Sequence, residues 1–159
     1  MKVKDILNPV TDHVTPEDTL QLAVIKMREA RKRDGCGVRG IIVLDGGENL
    51  IGVLSIKDIL RAAIPVYLDT KLSKFSWDGM LEKMAAHVAC TKVKEFMTHE
   101  VITISEDATL MTCADLLIKK NLQRLPVVNK ENKVIGIVSI SDIYNVISEI
   151  FADQPECKL

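Results

Sequence analysis

Apolar and polar positions follow the same succession of periods in two separate stretches of the chain. In the first, a short β-branched stretch, Val14-Thr15, precedes a segment with apolar residues at Leu20, Ala23, Val24, Met27 and Ala30. That three-and-four spacing predicts an amphipathic helix. An apolar run at 41–44, a polar turn at 45–49 and a second run at 50–54 predict strand, turn and strand, with a helix beginning at Ser55. The second stretch repeats the order: Val101-Ile102-Thr103-Ile104, a helical stripe of Leu110, Cys113, Ala114 and Leu117, a strand at 125–128, a turn at 129–133, a strand at 134–138 and a helix from Ser139. Thr15-Pro16-Glu17-Asp18 and Ser105-Glu106-Asp107 predict the starts of the first helix of each stretch, a hydroxyl cap followed by acids. Each stretch therefore reads β-α-β-β-α. Between them the pattern predicts a helix to about Ala63, a break near Pro65 and a further helix over 78–89.

The similarity extends to the residues. Val3-Lys4-Asp5-Ile6-Leu7 aligns with Val93-Lys94-Glu95-Phe96-Met97 at an offset of 90, and Thr19-Leu20 with Thr109-Leu110. Gly52-Val53-Leu54-Ser55-Ile56-Lys57-Asp58-Ile59 aligns with Gly136-Ile137-Val138-Ser139-Ile140-Ser141-Asp142-Ile143 at an offset of 84. The change of offset is an insertion in the first copy, placed at 31–36. The chain thus divides into a first repeat (1–64), a helical connecting segment (65–92), a second repeat (93–151) and a tail (152–159). The expected fold class is α+β, two pseudo-symmetric β-α-β-β-α repeats packed sheet to sheet. Neither repeat can cover its apolar sheet face alone. The cleft between two such copies is a natural place for a small ligand.

Composition narrows the function. With 159 residues, 47% hydrophobic and 27% charged, the chain has globular composition. A net charge of -1 is a poor electrostatic footprint for nucleic acid, so no nucleic-acid partner is expected. No apolar run approaches the roughly 18 residues of a membrane span, and Met1-Lys2-Val3-Lys4-Asp5 has no apolar stretch of a signal peptide behind it. A soluble, cytoplasmic protein without membrane insertion is expected.

The chemistry-bearing residues are few. Cys36, Cys90, Cys113 and Cys157 make no CxxC pair, and His13, His87 and His99 make no HExxH, so no metal site and no catalytic residue are expected. Cys113 falls on the apolar helical stripe and reads as a core residue. Gly35-Cys36-Gly37-Val38-Arg39-Gly40 fits GxGxxG, but a helix precedes it and a strand follows, the reverse of a dinucleotide fingerprint. Those glycines read as the end of the first helix. Arg28-Glu29-Ala30-Arg31-Lys32-Arg33 reads as a solvated helix end whose cations complement the helix dipole. Phe75 and Trp77, beside Met80, Leu81 and Met84, read as core of the connecting segment or as an association surface.

The two SxxD motifs, Ser55 with Asp58 and Ser139 with Asp142, stand where a strand becomes a helix. They read as capping boxes. The same carboxylate has two acceptor oxygens and suits the vicinal hydroxyls of a ribose. Arg124, at the start of a buried-looking strand, suits a phosphate. The aligned position in the first copy is Gly40, with Arg39 just before it, so two unequal sites are expected.

On the runs 101–104, Leu122-Gln123-Arg124-Leu125-Pro126-Val127-Val128, 136–143 and 52–59, the chain resembles a tandem pair of cystathionine-β-synthase (CBS) domains, a Bateman module. The first copy departs from the family in having Gly40-Ile41-Ile42-Val43 where the second has the Leu-Pro-Val-Val run. The resemblance implies a non-catalytic regulatory module that senses an adenosine-containing ligand, AMP, ADP, ATP or S-adenosylmethionine, in the cleft between the copies. No cofactor beyond that ligand is implied. It assigns ribose contact to Asp58 and Asp142, nearness to phosphate to Ser55 and Ser139, and phosphate binding to Arg124. It assigns adenine walls to 11–14 with 38–41, where Thr11, His13, Val38, Arg39 and Gly40 lie, and to Val101 and Ile102 with Leu122 and Gln123. Each wall would face the SxxD motif of the other copy. It also implies a homodimer, for which Ile59, Leu60, Ala63 and Ile64, and Ile143, Val146, Ile147 and Ile150, supply apolar stripes. The alternatives are a ligand-free dimerisation scaffold of the same fold, or the detached regulatory subunit of an enzyme or transporter, and a regulated protein partner fits either.

Overall fold

Val3 and Val93 open the two repeats, both are fully buried, and each lies in a core built from the other repeat. In the computed structural model, which describes residues 1–34, 39–46, 48–64 and 79–155, the chain forms two compact units. One unit joins Met1–Thr11 to Ile102–Leu159, and the other is Asp12–Val101. Each repeat's sheet and helices are thus completed by an arm from elsewhere in the sequence.

In the unit containing the first repeat, β2 (His13–Val14) runs parallel to β3 (Gly40–Leu44), and β3 pairs antiparallel with β4 (Leu50–Ser55). Helices α1 (Leu20–Asp34), α2 (Ile56–Ala63) and α3 (Met80–Val88) complete it. Val14, Leu20, Ala23, Met27, Ile41, Val43, Leu54 and Ala62 form its core, and Val93 and Met97 join them from the arm that carries a 3₁₀ turn at Val93–Glu95.

The other unit has a four-stranded sheet in the order β1 (Asn8–Pro9), β7 (Val134–Ser139), β6 (Arg124–Val128) and β5 (Ile104–Ser105). It carries α4 (Leu110–Lys119) and α5 (Ile140–Ala152). Its core is Ile104, Cys113, Leu117, Leu125, Val127, Val138 and Ile143, closed by Val3 from a 3₁₀ turn at Val3–Asp5. The Cys113 thiol is fully buried there, and burial raises its pKa, with the Asp142 charge adding to the effect.

The arms explain the glycines within the SxxD-bearing strands. A Cβ on Gly136 would lie 2.5 Å from Leu7 Cδ1 and 2.8 Å from the Asn8 carbonyl oxygen. A Cβ on Gly52 would lie 2.7 Å from Met97 Sδ and 3.0 Å from the Thr98 carbonyl oxygen. Asn8 and Pro9 pair with Ile137 and Gly136, while Val53 and Thr98 exchange backbone hydrogen bonds of 3.1 and 2.9 Å. Only a bare backbone lets the arm approach this closely.

Each arm is also clamped by a pair of lysines. Lys2 and Lys4 lie 3.2 and 3.1 Å from Asp107, and Lys94 lies 2.6 Å from Glu17, which also pairs with Lys92. The hydrogen bonds from Lys92 and then Lys94 hold the Glu17 carboxyl down from 4.5 to about 2, and Lys4 and Lys2 lower that of Asp107. A carboxyl held down in the folded state contributes stability above its unfolded pKa and loses it as pH falls through the folded one. Melting of wild type against Glu17→Gln should therefore show a gap that is full above pH 4.5 and closes as pH falls toward about 2. The clamp is exposed, so the gap should also narrow in about 1 M salt.

Several local expectations need correction. The helices start at Leu20 and Leu110, not directly behind Thr15 and Ser105. The caps are Thr19 and Thr109, whose hydroxyls accept the N–H groups of Leu22 and Thr112 at 3.2 and 3.1 Å. Asp18 instead turns back to accept the Thr15 N–H at 2.8 Å, making the preceding segment a turn. The strand expected over 101–104 is confined to Ile104–Ser105, and that expected at Val14-Thr15 is His13–Val14. Only there do the residues face β6 and β3 in register. The expected association stripe is split: Ala63 and Ile143 are buried and Ile59 packs on the core, while Leu60, Ile64, Ile147 and Ile150 are exposed. Gly35, Cys36, Gly37, Val38, Pro65, Phe75, Trp77 and Cys157 lie outside the described residues. No described helix is long and apolar enough to cross a membrane.

Candidate functional site

The second repeat gathers its chemistry where β6 begins, β7 ends and α5 starts. Antiparallel register sets Arg124 opposite Ser139, the residue that caps α5. Asp142 Oδ2 accepts the Ser139 N–H at 2.7 Å and its hydroxyl at 2.6 Å, and Ser139 Oγ accepts the Asp142 N–H at 3.2 Å. This reciprocal cap satisfies two of the otherwise orphaned backbone donors of the helix start. The Ile140 N–H donates to the Gln123 carbonyl at 3.0 Å, tying the residue before Arg124 to the same helix start. Asn8 arrives on the N-terminal arm, and its Nδ2 donates to Asp142 Oδ2 at 3.1 Å. The unit thus brings together Gln123, Arg124, Ser139, Asp142 and Asn8.

The first repeat reproduces the backbone and changes the side chains. Gly40 stands opposite Ser55, and the Ile56 N–H donates to the Arg39 carbonyl at 3.1 Å. Asp58 Oδ2 accepts the Ser55 N–H at 2.8 Å and its hydroxyl at 2.7 Å. Asp58 Oδ1 accepts from Arg61 at 3.3 Å. The Asp58 side chain is 7% exposed, whereas that of Arg61 is 70% exposed. A Cβ on Gly40 would stand 3.1 Å from the Leu54 carbonyl oxygen. The position opposite Ser55 therefore offers bare backbone where the second repeat offers a guanidinium.

The residues of the expected adenine walls are divided between the two units. His13 is exposed on β2, opposite Ile42, and its carbonyl accepts Lys26 Nζ at 2.9 Å. Thr11 ends the arm of one unit and Asp12 begins the other. Val101 and Ile102 likewise fall on opposite sides of the division between units. Leu122 packs on the core of the second repeat.

Sequence reasoning missed Asn8 and Arg61. Arg61 was accessible, since a residue three beyond Asp58 shares its helix face. Asn8 was not, because no local spacing says which sheet an arm will join. Among the described residues, no group of three or more His, Cys, Asp or Glu side chains could hold a metal ion.

The CBS domain profile matches residues 3–65 and 93–149. The chain belongs to the CBS domain family. Its two β-α-β-β-α units are a tandem CBS pair, a Bateman module, and the SxxD junctions occupy the same place in both CBS repeats. The chain is 31% identical over 157 residues to the uncharacterized protein MJ1426 of Methanocaldococcus jannaschii, covering 90% of this chain and 89% of that one. It is similar in fold to the CBS-pair protein CBSX2 from Arabidopsis thaliana, with TM-score 0.74 at 23% identity over 96% of this chain and 98% of that chain. The structure of CBSX2 in complex with AMP gives TM-score 0.67 at 24% identity, with 94% and 98% covered. The cytosolic domain of the Mg2+ channel MgtE in complex with ATP gives TM-score 0.67 at 23% identity over 91% of this chain and 48% of that one.

Proposed function

We propose that this CBS pair is a non-catalytic regulatory module that binds adenosine-containing ligands, AMP, ADP, ATP or S-adenosylmethionine, through its SxxD junctions. The observation that carries the reading is the duplicated serine–aspartate cap, with Arg124 opposite one cap and Arg39 next to the other. In each cap one carboxylate oxygen is engaged by the serine and the other is the one to which a ribose hydroxyl would donate, although at Asp58 that oxygen also accepts from Arg61. Arg124 supplies a cation for phosphate in the second repeat. Relatives of the same fold are known in complex with AMP and with ATP, which supports an adenine nucleotide as the ligand class. Val101, Ile102, Leu122, Thr11 and His13 remain the proposed walls for the base, and Ser55 and Ser139 the proposed hydroxyls nearest phosphate.

A thermal-shift panel of AMP, ADP, ATP, S-adenosylmethionine and NAD tests the reading. A ligand at 100 times its Kd adds about 2.7 kcal/mol, or roughly 5–10 °C in Tm at this length. A shift with at least one of the adenosine-containing ligands is expected. No shift with any of the five at millimolar concentration contradicts the reading.

The module is also proposed to work as a homodimer. On α5, Ile140, Tyr144, Ile147 and Phe151 are exposed at four-three-four spacing, and Ile56 and Leu60 on α2 and Ile64 at its C-cap are exposed four residues apart. Two repeated apolar stripes suit a self-complementary two-fold contact. Sedimentation should give twice the chain mass of 17.7 kDa, falling toward one chain in Tyr144→Asp. A wild-type mass that stays at 17.7 kDa as concentration rises contradicts the dimer.

A further inference from the structure

The two SxxD carboxylates are capped alike yet exposed differently. Asp142 Oδ2 takes three donors, the Ser139 N–H, the Ser139 hydroxyl and Asn8 Nδ2, and no described residue donates to its Oδ1. Among the described residues, Asp58 Oδ2 takes the two serine donors and its Oδ1 takes Arg61. Asp58 is buried, whereas Asp142 is half-buried. At the offset of 84 that aligns the SxxD motifs, the counterpart of Arg61 is Asn145, a neutral residue.

We infer that Arg61 masks the first-repeat carboxylate and makes it the weaker ribose site, while Asn8 and the serine cap leave Asp142 Oδ1 open as the stronger one. The inference rests on the reading that these carboxylates bind ribose. A ribose hydroxyl must donate to a carboxylate oxygen. At Asp142 the arm amide donates to the oxygen that already serves the cap, so the remaining oxygen is presented without competition from any described residue. At Asp58 the hydroxyl meets a guanidinium already bonded to that oxygen, and it must displace or share that partner. The Arg61 side chain is mostly solvated, so the competition is a modest one. It is still large enough to rank the two carboxylates as ribose acceptors. Arg61 acts here on affinity through Asp58, as a specificity-determining residue.

Adenosine isolates the effect, because it lacks phosphate and does not respond to the loss of a cation in general. The full chain is titrated calorimetrically with adenosine in an Asp142→Asn background, with and without Arg61→Asn. Removing the arginine should tighten binding about three- to tenfold, and Arg61→Gln, a better helix former, should do the same. Arg61→Lys keeps the cation and should leave most of the mask in place. In an Asp58→Asn background, Asn145→Arg should weaken binding by a similar factor. Unchanged or weaker adenosine binding in both Arg61→Asn and Arg61→Gln, with Tm within a few degrees of the parent, overturns the mask while the nucleotide reading stands. Absence of binding of adenosine and of AMP in wild type and in every variant overturns the nucleotide reading and the mask with it.

Discussion

Gly136→Ala is expected to lift the N-terminal arm off the second repeat and lower Tm by roughly 2–12 °C. The new methyl would stand 2.8 Å from a backbone oxygen, the Asn8 carbonyl, which cannot rotate away as a side chain does. Overpacking of this kind costs about 1–3 kcal/mol, and each kcal/mol is worth roughly 2–4 °C at this length. The arm carries Val3 into the core and Asn8 to Asp142, so its displacement strips both. Hydrogen exchange should quicken most along Val134–Ser139 and at the backbone donors of 3–7. Differential scanning calorimetry gives the melting change, and a Tm within about 1 °C of wild type would mean that the close approach of arm and strand does not hold in solution. Gly52→Ala should act alike through Met97 and Thr98.

The arms also mark where sequence legibility ends. The repeat itself was readable, because each β-α-β-β-α unit carries its own hydrophobic period and ends in the same serine–aspartate step. Both SxxD caps and the core role of Cys113 follow from local spacing. The destination of the arms does not. Val3 and Val93 stand in matching pentapeptides, and what marks each arm's place is long-range pairing, Lys4 with Asp107 and Lys94 with Glu17. Asn8 was invisible for the same reason. The displaced helix caps were a different failure. Thr15 and Thr19 are both competent hydroxyls, and what decides between them is Asp18 turning back onto the Thr15 N–H, a local hydrogen bond that competes with helix formation.

Replacing both SxxD carboxylates with amides is expected to have the largest effect on ligand binding. Asp58→Asn and Asp142→Asn keep an oxygen able to accept the serine N–H, so the caps of α2 and α5 are largely retained. What they remove is the charge to which ribose hydroxyls donate. Hydrogen bonds to a charged group contribute about 1.5–3 kcal/mol, so each site should lose roughly 10- to 150-fold in affinity. The paired amides also remove the partner of Arg61, whose guanidinium then has no carboxylate to mask.

Calorimetric titration of AMP into the full chain and into the Asp58→Asn/Asp142→Asn variant tests the account most directly. The account predicts saturable heat in the wild type and binding at least about tenfold weaker in the double variant, with the Tm of the unliganded proteins agreeing within a few degrees. Equal binding by the two proteins would contradict it, as would a wild type that takes up neither AMP, ADP, ATP nor S-adenosylmethionine.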